Sequence, residues 1–245
     1  MRPRNAVIGL CVLAALVISA VAAQSASAVL LFTCENTGQG PGFGTGTCER
    51  AHPTANGPWQ HVLVLEPTSR RWIGTGATLI KGTHAGVKLG LSAAAVSGSG
   101  TVEASKFGEE NYVHGTATLK LEEVTVTEPA GKGCKVVGGS ITTKELESTT
   151  LGLTGLEKLS PVSGTVIAEF TVEGCSIASL NTSYKMEGSF KGVPTDTSLV
   201  LTETEITTQG TLTLGGLAAG LAGVLDREGR KIGSGEEWKK LAYTP

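Results

Sequence analysis

Aromatic residues are scarce in this chain: three tryptophans, three tyrosines and five phenylalanines, 4% of 245 residues. Clefts that hold sugar rings or bases by stacking are lined with such side chains, so stacking recognition has little to draw on. A membrane-spanning barrel needs aromatic girdles at both interfaces, and these few rings cannot build two. Aspartate is scarcer still, with only Asp196 and Asp226, and no D-x-[DN]-x-[DN]-G calcium loop is present. The four histidines, His52, His61, His84 and His114, form no H-x-x-x-H or H-E-x-x-H pair, so no metal site is expected. Positive charge is not in excess either: 20 Lys and Arg stand against 22 Asp and Glu. That balance excludes the basic surface that neutralises phosphates, and nucleic acid is not an expected partner.

What is present begins with the first 28 residues. Arg2 and Arg4 precede an unbroken apolar run from Ala6 to Ala23, followed by Gln24, Ser25 and the small-x-small stretch Ala26-Ser27-Ala28. This is the pattern of a secretory signal peptide with its cleavage site. The run is also long enough for an uncleaved membrane anchor, the alternative reading. A lipoprotein signal is excluded because Leu10 sits before Cys11, where a small residue is required. Export leads to a compartment in which disulfides persist. Cys11 leaves with the signal, and Cys34, Cys48, Cys134 and Cys175 remain. The remaining chain of about 217 residues fits one large all-β domain or two small ones.

Composition points to sheet. Glycine contributes 34 residues and threonine about one in eight, with valine abundant. β-Branched side chains suit a pleated surface, and glycine supplies the positive φ of tight turns. Strands are expected at Val29 to Thr33, Gln60 to Glu66, Thr116 to Thr127, Ser140 to Leu146, Gly164 to Val172, Ser183 to Phe190, Ser198 to Thr207 and Gly210 to Leu214. Within Thr116 to Thr127 the apolar side chains alternate at Ala117, Leu119 and Leu121, then slip by one residue at Glu122-Glu123 to Val124 and Val126. Such a slip predicts a β-bulge. Leu217 to Leu225 reads as strand, since its glycines disfavour a helix. A tight turn at Asp226-Arg227-Glu228-Gly229 and a helical turn at Glu236 to Leu241 are expected to follow. The basic clusters Arg70-Arg71, Arg227 to Lys231 and Lys239-Lys240 are short and read as solvated loops.

Between Cys34 and Cys48 lies a glycine-rich stretch, Gly38 to Gly46, spaced G-x-G-x-G rather than G-x-G-x-x-G and with no helix after it. It reads as a surface loop closed by a bridge, worth about 3 kcal/mol for a loop of roughly 15 residues. A weak repeat joins the other two cysteines. Val124-Thr-Val-Thr-Glu leading to Gly133-Cys134-Lys135-Val136 resembles Phe170-Thr-Val-Glu-Gly174-Cys175-Ser176-Ile177. Two matched strands ending in matched Gly-Cys turns can lie side by side. Four cysteines allow three connectivities, and spacing alone does not select one. Cys34–Cys48 with Cys134–Cys175 is preferred because it pairs local with local and repeat with repeat.

The stretches Gly133-Cys134-Lys135-Val136, Ile141-Thr142-Thr143-Lys144, Leu159 to Val166 and Val172-Glu173-Gly174-Cys175 resemble a group of exported actinobacterial proteins to which no activity is assigned. The likeness spans roughly residues 115 to 235, and the Cys34…Cys48 segment also recurs in that group. The resemblance implies secretion and an all-β domain; it brings no activity, cofactor or catalytic residue.

The motifs for chemistry are missing from the linear sequence. No G-x-S-x-G elbow occurs, and Ser97-Gly98-Ser99-Gly100 shares only its composition. Glu122-Glu123 and Glu203 with Glu205 are expected on solvent faces of strands rather than flanking a glycosidic bond. His61 alternates with apolar neighbours and reads as a core or edge histidine. The expected fold is all-β, an antiparallel β-sandwich or flattened β-barrel stabilised by two disulfides. Its divisions are a signal at 1–28, an N-terminal strand and disulfide loop at 29–58 packed on the main domain, and the all-β domain at 59–245. The expected function is a secreted, non-enzymatic cell-envelope or extracellular protein, binding or structural, with no cofactor, no catalytic residue and no membrane contact after cleavage. A secreted hydrolase of envelope polymer is the alternative. Trp59 and Trp72 are the candidates for a binding patch if exposed together; core packing is the ordinary fate of both.

Overall fold

The computed structural model describes residues 30–38, 42–43, 53–54, 57–64, 66–74, 78–107, 110–151, 156–194, 198–201, 213–231 and 237–244. The expected signal, Cys11, Cys48, His52, Glu203, Glu205 and most of the glycine loop lie outside them. The described strands, numbered in chain order from β1 to β22, fall into three groups, and all ladders are antiparallel.

Eight strands close into a barrel: β5 (Thr68–Gly74), β8 (Ala95–Phe107), β9 (Glu110–Glu122), β13 (Leu146–Leu151), β14 (Leu156–Pro161), β17 (Phe190–Pro194), β18 (Ser198–Leu201) and β21 (Gly220–Lys231). The ladder runs in that order and returns from β21 to β5. Full closure leaves no edge for another chain to pair with. Short β12 (Ile141–Thr142) adds to β9. A second, curved sheet stands at one end of the barrel. It runs β6 (Thr78–His84), β7 (Val87–Ala93), β10 (Thr125–Glu128), β11 (Lys135–Val136), β15 (Val166–Glu173), β16 (Thr182–Glu187), β19 (Thr213–Leu214) and β20 (Leu217–Ala218). At the other end β1 (Leu30–Asn36), β2 (Gly42–Phe43), β3 (Pro53–Thr54), β4 (Trp59–Leu63) and β22 (Lys239–Thr244) form a small sheet.

Long strands run from the barrel into the second sheet and bend on the way. Ala95 pairs with Glu122 on the barrel side, and Ser92 with Thr125 beyond it. On β9 the buried residues approaching the bend are Ala117, Leu119 and Leu121; past the bend it is Val124. The partner strand changes parity as well, from buried Leu89, Leu91 and Ala93 to Val96 and Val102. The expected bulge at Glu122-Glu123 is therefore a paired bend. A bulge adds a residue to one strand only, whereas here both strands turn together and the register is kept. Glu123 takes φ of +52° at the corner.

One apolar cluster runs through barrel and second sheet, from Trp72, Leu146, Leu159, Phe190 and Leu225 to Ile80, Leu91, Ile167, Val172, Tyr184 and Leu214. A smaller cluster of Leu31, Val64, Val102, Val113 and Leu241 joins the end sheet to β8 and β9. The fold is thus all-β and, of the two expected architectures, a barrel with outer strands.

Several expectations are corrected. Asp226 to Gly229 is not a turn but the middle of β21, with Leu225, Arg227 and Gly229 all buried. The charged letters suggested a solvated turn, yet strand parity puts Arg227 on Leu225's face. The residues from Lys239 onward form strand, not a helical turn, because Lys239 and Lys240 pair with β21 and Leu241 to Thr244 with β1. Strands β5 and β8 carry weak sequence signals: their inward positions hold Thr68, Arg70, Gly98 and Gly100 beside Trp72 and Val96.

One disulfide is described where two were expected. Cys134 and Cys175 are bonded, with their Cα atoms 4.1 Å apart. β11 pairs with β15 at Lys135–Glu173, and Ser176 donates its N–H to the Lys132 carbonyl, so the ladder extends past the bridge. The two Gly-Cys turns do lie side by side. Gly133 and Gly174 have φ of +75° and +72°, and a Cβ on either would come within about 3 Å of the other's carbonyl oxygen. Only glycine fits both the conformation and the approach. Asn181 clamps Cys175 by accepting from its N–H and donating to its carbonyl. Cys34 is buried and disulfide-bonded; its expected partner, Cys48, is outside the described residues.

Candidate functional site

Alternation along three strands of the closed barrel aims charged side chains inward. On β5 the inward residues are Thr68, Arg70 and Trp72; on β14, Glu157 and Leu159; on β21, Leu225 and Arg227. Arg70, Glu157 and Arg227 are each 0% exposed. One carboxylate serves both arginines: Nη1 of Arg70 lies 3.0 Å from Oε1 of Glu157, and Nη1 of Arg227 lies 3.2 Å from Oε2. Ser148 on β13 donates a short hydrogen bond to the same Oε1. Arg70 also donates to the Thr116 carbonyl, 3.3 Å away, and its guanidinium lies 4.3 Å from the centre of the Trp72 ring. These contacts join β5, β9, β13, β14 and β21 across the interior.

The arginine clusters expected on solvated loops are therefore corrected at Arg70 and Arg227. Arg71 and Glu228, the neighbours on the outward parity, pair on the exterior surface, and Arg71 also lies over Trp238. The signal that would have found the buried trio was present. In Thr68-Ser-Arg70-Arg-Trp72 every second residue shares the tryptophan's face, and Glu157 shares that of Leu159.

Trp72 is 1% exposed, so it belongs to the interior and forms no exposed patch with Trp59, which is half-buried on β4. His84 meets Tyr184 edge-on, ring centres 5.0 Å apart. Tyr184 stacks on Phe170, donates to the Leu180 carbonyl at 3.1 Å, and burial raises its phenol above the usual 10.0. His114 sits 3.8 Å from Glu103 on the outer surface, both sides exposed. His61 lies on β4. Among the described residues no three of His, Cys, Asp and Glu converge as metal ligands.

A concavity lies outside the barrel. β6 pairs with β21 at Leu79–Ala222, Ile80–Leu221 and Lys81–Gly220. At Ala219 the opposite chain leaves this ladder, and Leu217 and Ala218 pair with β19 instead through the Gly215-Gly216 turn, φ +59° and +81°. Among the described residues no ladder joins Gly82, Thr83 and His84 to β20. The result is a fork between two strands. A groove of about 350 Å³ opens there, lined by Lys81, Gly82, Thr83, Lys88, Glu128, Ala218, Ala219 and Gly220. Small residues form one wall, and two lysines and a glutamate stand around it.

No family model matches the chain, and neither a curated protein nor a solved structure is significantly similar to it.

Proposed function

We propose that this chain is an exported cell-envelope or extracellular protein that works by binding through its outer surface, with the closed barrel as a rigid frame. The observation that carries the reading is the filled barrel interior. Trp72 and the Arg70–Glu157–Arg227 trio occupy the space that a ligand-carrying barrel would leave for its cargo. The groove beside β6 is instead open to the surface and bordered by Lys81, Lys88, Thr83 and Glu128. The leader-like residues 1–28, the disulfides and the resemblance to exported actinobacterial proteins support the location.

Fractionating the native host and weighing the intact protein in each fraction tests this. A leaderless species released only by wall digestion is the expected result. The full-length mass held in the cytosol, with reduced cysteines, would refute it. A full-length species in membranes would replace the cleaved signal with an anchor.

A further inference from the structure

The second sheet consists of two half-sheets joined by little backbone pairing. One half is β6, β7 and β10; the other is β15, β16, β19 and β20. Among the described residues the ladder bonds between them run through β11 alone. That strand is two residues long, with one pair to β10 at Thr125–Lys135 and two to β15 at Lys135–Glu173 and Val136–Val172. Beside these stand the Cys134–Cys175 bridge and the bond from the Ser176 N–H to the Lys132 carbonyl. Toward the barrel the seam closes again, where Thr143 bridges Ala168 and the Lys144 N–H donates to the Ile167 carbonyl.

The segment that carries β11 has a weak hold on the core. Of residues 129–140 only Val136 is buried. Gly131, Gly133, Gly138 and Gly139 all take positive φ, so the segment regains much backbone freedom once released. Few buried apolar contacts and exposed hydrogen bonds mark a region that opens separately from the rest. The bridge opposes this by tying Cys134 to Cys175, whose N–H and carbonyl are both held by Asn181. We infer that the Cys134–Cys175 bridge is a redox-sensitive clasp: its reduction by a dithiol releases residues 129–140 from β15 as a unit and opens the second sheet while the barrel stays closed.

The chemistry is thiol–disulfide exchange. A thiolate of the dithiol attacks Sγ of Cys134, the more exposed of the pair, and the sulfur–sulfur bond breaks with its electrons on Cys175, which takes a proton. The second thiol of the reductant then displaces Cys134, which is protonated in turn, and the reductant leaves as a cyclic disulfide. Two electrons and two protons have passed to the protein. Val136 leaves the core, Val172 and Glu173 become a strand edge, and the opening stops at the Thr143–Ala168 bridge. None of the eight barrel strands includes residues 129–140, so the barrel ladders stay paired.

The test follows amide hydrogen exchange residue by residue in the purified full chain, unmodified and with Cys134→Ser and Cys175→Ser combined. The double variant leaves the bond at Cys34 in place. Ser176, bonded to Lys132, and Val124, bonded to Gly139, report on the seam. In the variant both amides are expected to exchange at least about tenfold faster, at rates that low urea leaves unchanged, since a local opening exposes little surface. Amides of β8 and β9 should keep rates that rise with urea. In the unmodified chain, dithiothreitol under native conditions should make Cys134 and Cys175 reactive to iodoacetamide before Cys34, which is 3% exposed. Unchanged exchange at Ser176 and Val124 overturns the inference, as does acceleration that follows urea in step with the barrel. Cysteines 134 and 175 that resist dithiothreitol until the barrel unfolds also overturn it, and that measurement needs no variant to fold.

Discussion

The closed barrel and the second sheet share one apolar cluster but differ in the charge they bury. Inside the barrel Arg70, Glu157, Arg227, Ser148, Thr150 and Trp72 sit among leucines. Inside the second sheet the buried side chains are almost wholly apolar, Ile80, Leu89, Leu91, Ile167, Phe170, Val172, Met186 and Leu214 among them. The closures differ in the same way. Hydrogen-bonded ladders run all round the barrel, whereas the second sheet leaves the fork between β6 and β20 and is tied by the Cys134–Cys175 bridge. The comparison teaches where each region is rigid. Buried charge is costly to desolvate and is tolerated where partners are held in fixed geometry, as on eight mutually bonded strands. An apolar interior makes no such demand on geometry.

The largest expected effect breaks the barrel side of the comparison. Glu157→Ala removes the carboxylate that Arg70 and Arg227 share and leaves two guanidinium groups in the interior. Removing one partner of a buried ion pair costs about 3–5 kcal/mol, so thermal unfolding should fall by roughly 10 °C or more. A variant with unchanged melting temperature would show that the trio is not electrostatically coupled.

Cys175→Ser acts on the second sheet. A bridge spanning 41 residues is worth about 4 kcal/mol in the chain-entropy model. The variant should melt lower and expose Cys134 to a thiol reagent; a Cys134 that stays blocked would point to a different pairing in solution.

Tyr184→Phe is a smaller probe of the same region. Losing the hydroxyl that donates to the Leu180 carbonyl should cost about 1 kcal/mol at neutral pH. The alkaline limb gives a second readout. Burial raises the folded-state phenol above 10.0, so above that pH the unfolded chain releases the proton while the native one keeps it. The contribution is therefore whole below about pH 10 and declines as pH rises further, and urea titrations of Tyr184→Phe should show a shallower alkaline decline than the unmodified protein.

The remaining variant, for which no loss of stability is expected, is the sharpest comparison. Replacing Arg70, Glu157 and Arg227 together with methionine, leucine and methionine gives the barrel an interior like that of the second sheet. Apolar replacement of a buried ionic trio is often neutral or stabilising, so the triple variant should lie within about 2 kcal/mol of the original by chemical denaturation. A loss as large as that of Glu157→Ala would mean that the trio contributes more than its charges cost.

Much of this structure was legible in strand-length patterns. Ala117, Leu119 and Leu121 announced β9, and the matched Gly-Cys turns announced the Cys134–Cys175 contact. Strands β5 and β8 were harder, because their inward positions hold threonine, arginine and glycine beside few apolar residues. Arg70 and Arg227 were misread for a related reason: neighbouring charges at Arg71 and Glu228 gave each stretch the look of a solvated loop. The groove had no linear signature at all, since it arises where residues 81 to 83 and 218 to 220 diverge.

By itself, then, the order of residues determined the strands, their turns and the parity of each side chain, because a pleated backbone sends successive residues to opposite faces whatever lies beyond. It also set the repeat that brings two cysteines into register. Tertiary structure alone decided which face became an interior. Closing eight strands into a ring turned the inward parity of β5, β14 and β21 into a shared enclosed space, where Arg70 and Arg227, far apart in the chain, share one carboxylate. It decided the fork as well, because whether a strand keeps its partner depends on where the neighbouring chain must go, and Ala219 departs toward β19.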